Sequence, residues 1–101
     1  MANSAQEKLT DAAILTAIAP LPGWTVKNGK LHREYKFADF AHALGFMMTA
    51  APSIEKMDHH PEWANVYSRV TVDLMTHDAG GITRKDVELA GLLEGIAKKL
   101  L

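Results

Sequence analysis

The sequence predicts a single α+β domain, a four-stranded antiparallel sheet with three helices packed on one face. Three observations predict it. Asn28-Gly29 precedes an alternating apolar segment and signals a two-residue hairpin, whose central residues must both accept positive φ. Three other stretches repeat their apolar residues at three- and four-residue intervals, the period of a helix with one buried face. And 101 residues with 48% hydrophobic and 23% charged content suit one globular core and argue against a disordered chain. Hairpins make antiparallel neighbours, and amphipathic helices cover such a sheet most simply from one side.

Residues 1–8 precede the first periodic segment and are expected to be flexible. Thr10 and Asp11 open the first helix as cap and first-turn acid, with Ile14, Leu15 and Ile18 as its apolar stripe. Pro20 and Pro22 then stop it. After Asn28-Gly29, Leu31, Arg33, Tyr35 and Phe37 alternate with Lys30, His32, Glu34 and Lys36, which is the period of a strand with one wet face. Next, Phe40, Leu44, Met47 and Ala51 fall at i, i+4, i+7 and i+11 and predict the buried side of a second helix, with Met47 and Met48 as core candidates. Pro52 predicts that this helix ends or kinks there, leaving Ser53 to Met57 as a separate turn.

"EWANVYSRVTVDLMTH" reads as a second strand pair that turns near Tyr67 to Arg69. Val70, Val72 and Leu74 share one face, and Thr71, Asp73, Met75 and His77 the other. Thr83 with Asp86 forms a capping-box pattern opening the last helix, where Leu89, Leu93, Ile96 and Leu100 make a stripe flanked by Val87, Ala90 and Ala97. The order is α-β-β-α-β-β-α over one domain, residues 1–101, without repeat or linker.

Several function classes drop out. A net charge of -1 gives no electrostatic reason to expect nucleic acid or an anionic membrane as partner. The absence of cysteine removes disulfides, zinc-thiolate sites and thiol nucleophiles. The N-terminal apolar run is broken by Thr16 and ended by prolines, with no basic leader, so neither signal peptide nor membrane span is expected. A soluble, cytoplasmic protein is the expectation. Gly80-Gly81 lacks the lysine and glycine spacing of a phosphate loop, and no serine or cysteine triad has a signature.

The candidate chemistry lies in "DHHPEW", Asp58 to Trp63, and in His77. Histidine, with an unperturbed pKa of about 6.5, exchanges protons near neutrality. His59 and His60 with a third ring from a neighbouring strand could supply acid, base and binding group. A solvated or structural histidine is the commoner case for each taken singly. The three could also bind a metal with Glu55, Asp58 or Asp78 nearby, but adjacent residues on an extended chain diverge, which disfavours a shared ion. Asp86 has a structural reading as a helix cap, Glu55 as a solvated helix residue, and Trp63 and Tyr67 as core or rim aromatics or a flat wall for a heterocycle.

The run Glu55, three residues, His59-His60-Pro61, five residues, Tyr67, nine residues, His77, eight residues, Asp86 resembles the signature of the pterin-4a-carbinolamine dehydratase family. Gly23-Trp24, "REYKFADF", "GFM" and "DVELA" resemble its framework, so the likeness spans nearly the whole chain after residue 9. Pro52 is a departure, since members usually continue the helix without a proline, and Asp78 stands where a glutamate is common.

The resemblance implies dehydration of 4a-hydroxytetrahydrobiopterin to a quinonoid dihydropterin, a step in tetrahydrobiopterin recycling that uses no cofactor or metal. It implies that His59, His60 and His77 form the catalytic set, with His59 and His77 placed for acid/base work and His60 more concerned with holding the pterin. Asp58, His59, His60, Met75, Thr76, His77 and Asp78 correspond to pterin-contacting positions, while Glu55 and Asp86 correspond to supporting acids. It also implies a homodimer or homotetramer with no direct nucleic-acid or membrane contact. A second reading is a dimerization module serving as a transcriptional cofactor, because animal members of the family have that role.

Overall fold

The first helix begins where the sequence places it. In the computed structural model, which describes residues 7–101, Thr10 caps α1 (Asp11–Ile18) by accepting a hydrogen bond from the Ala13 N–H. The expectation for residues 1–6 lies outside the described residues. Ile14 and Ile18 are buried, but Leu15 is exposed, so the stripe of α1 is narrower than its sequence suggests.

The chain then forms a hairpin of β1 (Thr25–Lys27) and β2 (Lys30–Lys36), joined through Asn28 and Gly29 at φ of 53° and 75°. Both are left-handed, as the asparagine-glycine pair allows without strain. α2 (Phe40–Met57) crosses to β3 (Glu62–Val66), and β4 (Arg69–Leu74) returns between β2 and β3. The sheet order is β1-β2-β4-β3, antiparallel throughout, and α3 (Arg84–Ala97) closes the α-β-β-α-β-β-α sequence. Leu31, Tyr35, Val70, Val72 and Leu74 point into the helices, while His32, Glu34, Thr71 and Asp73 line the opposite, wetter face.

α2 departs from expectation in two ways. Its buried side is Ala43, Phe46, Ala50 and Ile54, whereas Phe40, Leu44, Met48 and Ala51 are exposed and Met47 is half-buried. The helix uses its small alanines to approach the sheet closely and inserts the single large Phe46. The larger residues lie on the adjoining face. Nor does α2 end at Pro52. The proline lies on the exposed side, where water can take the carbonyl bond its ring cannot close, and burial of Ala50 and Ile54 holds both flanks. Asp39 caps the start, and hydrogen bonds from the His42 backbone and ring hold its carboxyl below the usual carboxylate range.

The turn from β3 to β4 has no glycine or proline. Tyr67 takes φ of 53° there and is exposed, which removes it from the core. Asn65 compensates by donating from its amide to the carbonyls of Tyr67 and Arg69 at 3.1 and 2.8 Å. β4 stops at Leu74, so Met75 and His77 are not strand residues; His77 instead opens a 3-10 turn, His77–Ala79.

The core centres on Tyr35, Phe37 and Phe46, with ring centroids 5.1 to 5.8 Å apart. One acid enters it. Glu94 of α3 accepts from the Tyr35 hydroxyl at 2.6 Å and from the Trp24 indole at 3.0 Å, and the Arg33 guanidinium lies 4.2 Å over the Tyr35 ring. Burial, together with this carboxylate, keeps the Tyr35 phenol above the usual tyrosine range. Glu94→Ala leaves two buried donors without an acceptor, at about 1–3 kcal/mol each. A lowered urea midpoint is therefore expected, and an unchanged one would show that the network contributes nothing to stability.

Candidate active site

Asp58 ends α2 in the left-handed region, at φ 51°, with its N–H bonded to the Glu55 carbonyl. Aspartate tolerates that conformation better than most residues, and it turns the chain sharply off the helix axis. The next two side chains consequently separate. His59 points toward the start of α3, and its Nε2–H donates to Asp86 Oδ1 at 2.6 Å. His60 folds back over the last turn of α2 to Glu55, with Nε2 to Oε1 of 2.7 Å. His59 is 11% exposed and His60 56%.

His77 arrives on a closed loop. Thr76 and Gly81 exchange backbone hydrogen bonds at 2.9 and 3.3 Å, and between them the chain makes a single 3-10 turn ended by Gly80 at φ 70°. A glycine is suited to that position. The loop presents His77 and Asp78 outward, and His77 Nε2 lies 3.4 Å from Glu62 Oε2.

Asp86 joins the two segments. The capping box with Thr83 is present, and Asp86 Oδ2 accepts from the Thr83 N–H and the Thr76 hydroxyl, each at 2.9 Å. Because Thr76 donates to the carboxylate, the Thr83 hydroxyl must donate to Thr76 across their 2.7 Å contact, while its own oxygen receives the Lys85 N–H. One oxygen thus caps the helix and the other holds His59.

These elements enclose a cleft of about 360 Å³ lined by Asp58–His60, Met75–Asp78 and Lys85. That volume lies in the range of small-molecule sites, roughly 300–1,000 Å³. All seven residues expected to contact a ligand line it. Glu55 and Asp86 stand behind it as partners of His60 and His59. Trp63 is outside this cleft and packs edge-on against Phe46 at 6.3 Å. Lys85 and Glu62 were not anticipated. Lys85 precedes Asp86 at the helix start, and Glu62 sits inside "DHHPEW", but neither placement is visible before α3 and β3 are docked.

The chemistry follows from the pairings. A carboxylate partner places the ring proton on Nε2, which leaves Nδ1 of a neutral imidazole as a lone-pair acceptor. The three Nε2 atoms go to three separate acids, and among the described residues no three His, Asp or Glu side chains gather around one point as metal ligands would.

The family model for pterin 4 alpha carbinolamine dehydratase matches residues 7–96. This chain belongs to that family. A provisionally named pterin-4-alpha-carbinolamine dehydratase of Solibacter usitatus is 62% identical over 90 residues, covering 89% of this chain and 95% of the relative. One from Rhizobium rhizogenes is 52% identical, covering 92% and 94%. A crystal structure of a transcriptional coactivator/pterin dehydratase from Brucella melitensis superposes with a TM-score of 0.86 at 43% identity, over 90% of this chain and 99% of that one. The family's fold is therefore this fold. No helix among the described residues is long and apolar enough to cross a membrane.

The double duty of Asp86 can be separated by mutation. Thr83→Ala should cost about 1 kcal/mol of unfolding free energy through the lost cap and leave the His59 ring resonances in place. Asp86→Asn should cost about 1–3 kcal/mol and also move them. Unmoved His59 signals in Asp86→Asn would show that the carboxylate serves the helix alone.

Proposed function

We propose that this protein dehydrates 4a-hydroxytetrahydrobiopterin, the pterin-4a-carbinolamine, to the quinonoid dihydropterin and water, as part of tetrahydrobiopterin recycling. The observation that carries the reading is the cleft itself, with three histidines around one volume of small-molecule size, two of them hydrogen-bonded through Nε2 to acids of their own.

The 4a-hydroxyl is a poor leaving group until it takes a proton, and a ring N–H must give one up as the C–O bond breaks. One proton delivered and one removed balances the step, which is redox-neutral and releases water. His59 and His77 take these two roles, and His60 steadies the ring system. Asp58 and the Met75–Asp78 segment meet the donor and acceptor edge of the pterin. No cofactor enters the balance. A cytoplasmic setting suits a water-soluble substrate.

Self-association fits the exposed apolar face of α2, where Phe40, Leu44 and Met48 are 46%, 40% and 67% exposed. A homodimer or homotetramer is therefore part of the proposal. The same face supports a second reading, a dimerization module acting as a transcriptional cofactor, and the Brucella neighbour has coactivator in its name. In that reading the histidines are dispensable.

Purified protein, with chelator present, should accelerate dehydration of chemically prepared carbinolamine. Replacing His59 and His77 together with alanine should lower the rate by about 10² or more, the typical contribution of positioned acid/base groups. Wild-type rates in that variant would sink the catalytic assignment and favour the binding module. A strict monomer in light scattering at micromolar concentration would remove the oligomer.

A further inference from the structure

The dehydratase reading uses two supporting acids for three histidines. The sheet supplies a third. Glu62 opens β3 directly opposite Asp73 of β4, on the wet face. Two carboxylates facing each other across a strand pair repel, so each is expected to turn toward a cation or donor. Asp73 turns to β2, where His32 Nδ1 lies 2.8 Å from its Oδ1. Glu62 turns instead to Lys30 and His77. Its Oε1 receives the Lys30 ammonium at 2.6 Å and its Oε2 faces His77 Nε2 at 3.4 Å. The hydrogen bond from Lys30, aided by its charge and by His77, holds the Glu62 carboxyl below the usual glutamate range.

Lys30 begins β2, two strands away from β3 in the sheet, and its side chain reaches over β4 to meet Glu62. An exposed ion pair of this kind adds little to stability. Its consequence is geometric, because it commits one carboxylate oxygen to Lys30 and leaves the other aimed at a histidine that is 78% exposed and has nothing else to orient it among the side-chain hydrogen bonds of the described residues. The 3.4 Å separation is longer than a closed N–H···O bond, and such contacts commonly tighten once a substrate is bound.

We propose that Glu62 is the positioning residue for His77, anchored by Lys30, so that each histidine of the cleft is oriented through Nε2 by a dedicated carboxylate. The proposal rests on the dehydratase reading for its catalytic consequence, but its geometric core stands apart from it. Glu62 never touches substrate. It fixes the proton on Nε2 of the His77 ring and leaves Nδ1 as the acceptor, as Asp86 does for His59 and Glu55 for His60.

The test uses the full chain in four forms, wild type, Glu62→Gln, His77→Ala and the double variant, with circular dichroism confirming that each is folded. For Glu62→Gln, kcat should fall about tenfold, short of the roughly 10²–10⁴ that an acid/base group itself contributes, with KM within about twofold. The double variant should be no slower than His77→Ala, because Glu62 acts only through that ring. Independent, multiplying losses would overturn the proposal. Histidine-15N-labelled protein gives a readout that needs no turnover. The Nε2 signal of His77 should move in Glu62→Gln while those of His59 and His60 stay. Lys30→Met should reproduce the shift in part, and Lys30→Arg should restore the wild-type signal. An unmoved His77 signal in Glu62→Gln overturns the proposal even in an active enzyme. If wild type fails to dehydrate the carbinolamine, the dehydratase reading falls, and the ring signal alone decides whether Glu62 holds His77.

Discussion

Asp86 has no exposed surface, and three donors converge on it, the His59 ring, the Thr76 hydroxyl and the Thr83 N–H. A carboxyl group in that position is costly unless every lone pair it turns inward is matched, so its neighbours are constrained in turn. The loop after β4 must bring Thr76 against the start of α3. The chain leaving α2 must deliver His59 to the same point. α3 must begin at Thr83 and not a residue to either side. The cleft is the space left when these three arrivals are satisfied together, which is why groups distant in sequence meet there without a dedicated scaffold.

The opposite end of α3 carries a second buried acid with a different task. Glu94 gathers Trp24 and Tyr35, and so ties the last helix to β2 and to the segment before β1. With Asp86 at one end and Glu94 near the other, α3 is fixed in both position and rotation on the sheet. Apolar packing of Leu89, Ala90, Leu93 and Ala97 supplies attraction but little rotational choice, since neighbouring apolar residues could substitute for one another. The polar contacts remove that freedom, and the orientation of Asp86 toward His59 inherits it.

Much of this was legible in the chain. Asn28-Gly29, Thr10, and Thr83 with Asp86 encode local backbone chemistry, which acts within a few residues and is found where the sequence puts it. The family resemblance points to every residue lining the cleft except Lys85. What failed depended on docking. Periodicity alone could not say whether α2 would bury Phe40, Leu44 and Met47 or the neighbouring Ala43, Phe46 and Ala50, because both rows have helical spacing and only the sheet's closeness favours alanine. Pro52 read as a break because the rule concerns an isolated helix, and here burial on either side sustains it. Nothing local marks Glu94, since no pattern in the chain reveals that Tyr35 and Trp24 lie beneath it. Glu62 lies within "DHHPEW" with no local sign of its contacts, because its partners come from β2 and from the loop after β4.

The pair of adjacent histidines is the clearest case of what the fold adds. Successive residues on an extended chain point apart, and that divergence counts against a shared ligand. The left-handed turn at Asp58 makes the divergence useful. It sends His59 inward to the buried acid of α3 and His60 back to the exposed acid of α2, so the two rings flank one cleft at different depths. Their environments differ accordingly. A nearly buried ring against Asp86 is held in one orientation, whereas a half-exposed ring against Glu55, on the surface of α2, is free to adjust to what enters. Proton transfer demands fixed geometry and recognition tolerates adjustment, so this difference in burial is what the proposed roles require, chemistry for His59 and binding for His60. His77, more exposed than either, meets the first requirement only if something outside the cleft holds it.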